Sequence, residues 1–293
     1  MKQKMMALLA MLLVGATAAT GCSSTVEGKS DTSSAAAAQS AASTAQSAAS
    51  LSGKLTLNGS TSMAKVVQAL GEGFMEKYPQ VTVEKGGTGS GDAVKAVNNG
   101  TALIGDLSRS LKDEEKPSDF EINQIAIDGI AIAVSTQNKV DGLTSEQVAK
   151  IYTGEITNWK DVGGADQKIT VIGREATSGT RDGFESIFKV KEKTKLSAEL
   201  SSTGEVVSKV SSDPAAIGYV SLDSVNASVK ALKIDGVAAS EATVADGTYK
   251  VQRPFIEIYK KGSDNELVKA WFEFIKSDEG QQIVKDAGLV TKG

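Results

Sequence analysis

The sequence predicts an α/β protein with mostly parallel sheets, and three observations carry that prediction. From about residue 53 onward, short apolar strands alternate with amphipathic helices. Glycine-rich and hydroxyl-rich loops follow the strands and lead into the helices. The chain has 293 residues, 40% hydrophobic and 23% charged, an ordinary globular composition with enough length for two domains of typical size.

The stretch before the fold has a different character. In "MKQKMMALLAMLLVGATAATGC", Lys2 and Lys4 precede an apolar run that reaches Val14, followed by small residues, so residues 1–21 read as an export signal. That run is shorter than the roughly 20 residues that cross a bilayer as a helix. Cys22 is the single cysteine, which rules out an intramolecular disulfide. The segment "ATGC" resembles a bacterial lipobox, in which the cysteine becomes the lipidated first residue, although Ala19 stands where that motif usually has Leu. Residues 23 to about 52 are low-complexity Ser, Ala, Gln and Thr with almost nothing large and apolar, a flexible tether. The net charge of −4 becomes more negative once the two leader lysines are removed, which excludes a nucleic-acid binder by charge.

The fold proper begins with "KLTLNGSTSMAKVVQALGEGF": a strand at Leu55 to Leu57, the turn "NGSTS", then a helix whose Val66, Val67, Leu70 and Phe74 recur at helical spacing. "VTVEKGGTGSGDAVKAVNNG" repeats the plan, with a strand at Val81 to Val83 and a helix carrying Val94 and Val97. "ALIGDLSRSLKDEE" places Asp106, Ser108, Arg109 and Ser110 after a short apolar segment, and its "KDEE" reads as a helix start with favourable N-terminal charge. The fourth case, "IGREATSGTRDGFESIF", follows a strand at Ile169 to Ile172 and enters a helix with Phe184, Ile187 and Phe188 inward.

Loops beyond the carboxyl ends of strands are where ligands collect in open α/β sheets. Helix N-termini there present unpaired N–H donors and a partial positive charge, an anion site. Thr61, Ser62, Ser90, Ser178 and Thr180 add hydroxyl donors, and Arg174 and Arg181 offer a guanidinium fork suited to a tetrahedral oxyanion. Each hydroxyl taken singly also reads as a helix cap, and Arg109 and Arg181 also read as solvated surface charges. No Lys follows the glycines as a P-loop requires, and "GGTGSGDA" departs from a dinucleotide fingerprint, so a small anion fits better than a nucleotide. The absence of histidine removes Ser-His-Asp hydrolysis and His-ligated metal sites, and no acidic cluster stands on a loop with ligand spacing. The expectation is a binding protein with no catalytic residue, no metal and no cofactor.

Together with "DGIAIAV", "YTGEITNWKDVGG", "AAIGYVSLDSV" and "RPFIEIYKKG", these loops resemble the phosphate-binding proteins of Pst-type ABC transporters, over about residues 53 to 293. The resemblance implies a two-lobe periplasmic-binding-protein fold of type II, each lobe a mostly parallel sheet flanked by helices. Lobe 1 would comprise 53–130 and 255–293 and lobe 2 residues 131–254, with crossing strands near Asp128 to Val134 and Val251 to Tyr259. Trp159 and Tyr219 would pack the second lobe.

Carried over by position, the phosphate contacts fall on Thr61 and Ser62, Ser90, Arg174, Ser178, Gly179 and Thr180. The family's best-known members place an aspartate in the third loop that accepts a hydrogen bond from the proton on phosphate; alignment on "IG" puts Ser108 there. A serine hydroxyl can accept as well as donate, and Asp106, two residues earlier, is the other candidate. The implied partners are inorganic phosphate and the permease subunits of an ABC transporter. The implied location is the outer face of the bacterial cytoplasmic membrane, where the chain acts as a lipid-anchored monomer. Sulfate or molybdate as the oxyanion, or a tethered signalling or adhesion module, are the alternatives.

Overall fold

The computed structural model describes residues 51–291. The export signal 1–21, the lipobox Cys22 and the tether as far as residue 50 lie outside the described residues.

Strand β1 (Ser52–Gly59) pairs in parallel with β2 (Gln80–Gly87) and β3 (Ile104–Leu107). Helix α1 (Ala64–Lys77) follows β1 after a 3-10 turn at Thr61–Met63, and α2 (Ser90–Asn98) follows β2. Their buried faces carry Val66, Val67, Leu70 and Phe74 in α1 and Val94 and Val97 in α2, the positions that the helical spacing selects. Both strands run longer than their apolar centres because pairing with neighbours draws the flanking polar residues into the ladder.

The 16-residue strand β4 (Phe120–Ser135) then crosses the molecule. Beyond it come β5 (Gly142–Leu143), α3 (Ser145–Thr153), β6 (Thr170–Arg174), α4 (Gly179–Ile187), β7 (Ala198–Leu200) and α5 (Thr203–Ser212). Next follow β8 (Ala216–Ser221), β9 (Val229–Ala231), β10 (Lys233–Ile234), the short α6 (Glu241–Ala245) and β11 (Gln252–Lys260). Helices α7 (Glu266–Lys276) and α8 (Asp278–Asp286) close the described chain.

The main sheet runs β2-β1-β3-β11-β4-β8-β6-β7, with β9 also paired to β4; β5 and β10 form a separate parallel pair. The outer strands are parallel, whereas β11 lies antiparallel to β3 and β4, and β4 antiparallel to β8. The sheet is therefore mixed, because the strand returning from the far end of the chain enters it in the opposite sense. Positions 120–129 of β4 pair with β11, and positions 130–134 pair with β8.

The core follows the same division. One cluster packs Leu55, Leu57, Phe74, Ile104, Phe255, Trp271 and Phe274; another packs Ile132, Val148, Tyr152, Trp159, Phe184, Tyr219 and Val251. Trp159 is buried with its indole N–H donating to the Ala215 carbonyl, and Tyr219 stacks on Phe184 at 4.2 Å between ring centres. Among the described residues no helix is long and apolar enough to cross a membrane.

Candidate functional site

The carboxyl ends of β1, β2, β3 and β6 carry the loops that the sequence singles out, and their hydroxyls meet. Ser60 Oγ donates to Ser108 Oγ at 2.8 Å and lies 2.8 Å from Ser62 Oγ. Thr180 Oγ1 donates to Ser62 Oγ at 3.3 Å, and Ser90 Oγ accepts from the Ser108 N–H at 3.1 Å. All five side chains are buried. Two glycines permit this approach. Gly89 caps α2 with φ +103°, where a side chain would strain the backbone and meet the Thr177 carbonyl. A Cβ on Gly179 would collide with Ser90 Oγ and Ser108 Oγ, so the first turn of α4 sits directly against these hydroxyls.

Beside this cluster, Thr61 Oγ1 accepts from the Thr203 N–H at 3.2 Å, and Arg174 Nη1 donates to Thr203 Oγ1 at 3.3 Å. Arg174 is the last residue of β6 and not the second residue of a loop, because β7 pairs alongside it, Arg174 opposite Leu200. Its guanidinium also donates to the carbonyls of Leu200 at 3.0 Å and Ser201 at 2.8 Å. It bonds no carboxylate among the described residues, and burial holds its pKa below the usual arginine value. A buried cation without a counter-charge is costly by itself and favourable beside an anion.

The other predicted residues are distributed as follows. Ser178 caps α4 by accepting from the Arg181 N–H at 3.3 Å, and its own proton remains a donor. Arg181 is committed to Glu185 at 2.8 Å and Glu199 at 3.1 Å. Arg109 pairs with both oxygens of Glu115 at 2.7 and 2.8 Å and with Asp182 at 2.7 Å. Neither arginine is a solvated surface charge, and neither joins the hydroxyls: nearby carboxylates hold both. The "KDEE" stretch forms a 3-10 turn at Asp113–Glu115 whose Glu115 serves that pair. Asp106 is fully buried with both carboxylate oxygens unbonded among the described residues. Burial pushes it up to about 7, with Lys85 pulling the other way. Its carboxylate makes no hydrogen bond to the hydroxyl cluster; only its backbone carbonyl touches it, accepting from the Ser60 N–H at 2.8 Å.

Sequence reasoning missed Ser60, Thr203 and above all Arg253. This residue opens "RPFIEIYKKG" on β11 and lies opposite Asp128 of β4 in the ladder. Its Nε and Nη2 donate to Asp128 Oδ2 at 3.1 and 2.9 Å, Nη2 also donates to Ser62 Oγ at 3.2 Å, and Nη1 to the Ser108 carbonyl at 3.2 Å. The other Asp128 oxygen accepts from Ser221 Oγ at 2.7 Å. Only the quoted motif signalled Arg253; an arginine at a strand start otherwise reads as surface. The site thus combines five hydroxyls, one helix N-terminus and two buried guanidinium groups, an arrangement able to surround a small oxyanion with donors.

Comparisons with known proteins bear on the whole chain. A family model described as a PBP superfamily domain matches residues 32–279. The phosphate-binding protein PstS of Bacillus subtilis is 31% identical over 99% of this chain and 95% of its own length. Among solved structures, a phosphate ABC transporter substrate-binding protein from Clostridium perfringens with bound phosphate is 41% identical, with a TM-score of 0.80 over 82% of this chain and 100% of that one. An ABC-type phosphate transport receptor from Vibrio cholerae is 33% identical, with a TM-score of 0.68 over 81% and 100%.

Proposed function

The chain belongs to the PBP superfamily and, within it, to the PstS-type phosphate-binding proteins, and from that premise we propose that it binds inorganic phosphate and delivers it to an ABC permease for import. The observation that carries the reading is Arg174, buried at the end of β6 with no carboxylate bonded to it among the described residues and with Thr203 at its tip, itself bonded to Thr61. An oxyanion supplies the missing charge, and the buried hydroxyls with the α4 N-terminus supply the remaining donors.

In this reading the phosphate contacts are Thr61, Ser62, Ser90, Ser108, Arg174, Ser178, Gly179 and Thr180. Lobes 53–130 with 255–293 and 131–254 close over the anion by bending at β4 and β11, replacing its water with fixed donors. The Gly91 N–H donates to the Thr177 carbonyl at 3.0 Å, and Lys65 Nζ donates to the Asp223 carbonyl at 3.4 Å; both contacts join segments that the closure brings together. The permease releases phosphate by prying them apart. The role is that of a receptor, as in the PstS relatives, and the absence of histidine leaves no Ser-His-Asp triad. Export by residues 1–21, lipidation at Cys22 and a monomer tethered outside the cytoplasmic membrane complete the proposal.

Calorimetric titration of the protein from residue 53 onward with phosphate and sulfate tests it. Saturable phosphate binding with Kd of about micromolar or tighter, near 8 kcal/mol, is the expected result. Equal sulfate binding would make the protein a general oxyanion receptor, and no heat with either anion would refute the reading. Mass spectrometry of the mature N-terminus tests the lipid.

A further inference from the structure

The buried hydroxyls are not interchangeable, because one member of the network can only donate. A guanidinium has five N–H donors and no acceptor. Arg253 Nη2 donates to Ser62 Oγ at 3.2 Å, and Thr180 Oγ1 donates to the same oxygen at 3.3 Å. Both lone pairs of Ser62 are then occupied, so its single proton goes to Ser60 Oγ, 2.8 Å away. Ser60 in turn gives its proton to Ser108 Oγ at 2.8 Å. A one-way relay runs Arg253, Ser62, Ser60, Ser108. At its far end Ser108 Oγ lies 3.4 Å from Ser90 Oγ, where either hydroxyl can donate to the other; an anion at the first turn of α4, beside Gly179, would draw the Ser108 proton outward instead. Ser90, whose oxygen accepts the Ser108 N–H at 3.1 Å, likewise has a proton that an anion would draw from this pair.

We infer that Arg253 is a positioning residue that fixes the proton direction of this relay, so that Ser108 and Ser90 meet the anion as donors. The inference rests on the reading of the site as a phosphate receptor and deepens it: Ser108 stands at the family's aspartate position as a donor and does not accept the ligand's proton. Asp128 makes the device rigid. It lies opposite Arg253 in the ladder and takes its Nε and Nη2 at 3.1 and 2.9 Å, while Ser221 Oγ at 2.7 Å and the Leu222 N–H at 3.3 Å hold the carboxylate from the other side. Because β4 and β11 are the strands that cross the molecule, the relay starts at their junction and ends at the anion.

The test compares wild type, Arg253→Lys, and the double variant Arg253→Met with Asp128→Asn, which removes both buried charges together so that neither is orphaned. Phosphate and sulfate are titrated calorimetrically into each, with folding checked by circular dichroism. The lysine variant keeps a donor-only cation and is expected within about fivefold of wild type, whereas the double variant loses at least tenfold. A double variant that binds within threefold of wild type, or a lysine variant that falls as far as the double one, overturns the inference. A second readout needs no ligand: NMR couplings between the Ser60 and Ser62 hydroxyl protons and their β protons report where each O–H points. One fixed direction in wild type and rotational averaging in the double variant support the relay; averaging in wild type sinks it. Should wild type bind neither anion, the receptor reading fails, and the couplings still decide the relay.

Discussion

The Asp106 and Glu257 carboxylates face each other across the β3–β11 ladder, both fully buried. Trp271 Nε1 donates to one Glu257 oxygen at 2.6 Å, while the other and both Asp106 oxygens are unbonded among the described residues. Burial pushes Asp106 up to about 7 and Glu257 well above the carboxylate range. Both pKa values stand above those of the unfolded chain, so the native state holds these protons more tightly. Stability should therefore fall as pH rises from about 4 to 7, by at most about 1.4 kcal/mol per unit for each proton. Asp106→Asn should remove one proton's worth of that slope and be more stable than wild type above pH 7, measured by urea denaturation across pH. Its phosphate affinity should stay within about twofold of wild type, since the carboxylate lies outside the hydroxyl cluster; a tenfold loss would return Asp106 to the site.

Arg174→Ala should weaken phosphate binding at least a hundredfold, about 2.8 kcal/mol, by calorimetry. The folded state should lose little stability, because no bonded carboxylate is orphaned. Arg174→Lys should recover only part of the affinity, since an ammonium cannot reach Leu200, Ser201 and Thr203 at once.

Alanine is the better helix former, yet Gly179→Ala should cost at least tenfold in phosphate affinity, because the new methyl group occupies the space of the Ser90 and Ser108 hydroxyls. Loss of the phosphate-induced rise in Tm is the simplest readout. An unchanged rise would mean that this turn of α4 does not face the ligand.

Asp182 on α4 forms ion pairs with Arg109 at 2.7 Å and with Lys112 at 2.9 Å, tying the segment after β3 to the helix that carries the site. Asp182→Asn should cost on the order of 1–3 kcal/mol in urea denaturation. A cost below 0.5 kcal/mol, the range of ordinary surface substitutions, would show that the contact is dispensable.

The strand-loop-helix units were legible because each is local: apolar strand, glycine and hydroxyl turn, and helical spacing lie within about twenty residues. Thr61, Ser62, Ser90, Ser178 and Thr180 could be named from those turns alone, and Ser108 as a contact only through the family resemblance. Arg109 and Arg181 could not be sorted from Arg174, since what distinguishes them is the company of Glu115, Asp182, Glu185 and Glu199, fixed only by packing. Arg253 escaped for the same reason at longer range: its partner Asp128 lies in another strand, and the Ser62 hydroxyl in a loop near the start of the described chain. Asp106 was ambiguous because its direction depends on the alternation of β3, where it shares a face with Glu257.

The place of β11 also sets an order in time. It is inserted between β3 and β4, yet it is made after both, with β5 to β10 in between. As the chain leaves the ribosome, β1, β2 and β3 can assemble only with the β3 edge still uncovered, and the first part of β4 waits for the same late strand. Contacts of such long sequence separation form slowly, and unpaired strand edges invite association with other chains. The strands of the described chain that are synthesised first are thus completed last, and until then the uncovered β3 edge is the place where another chain could pair.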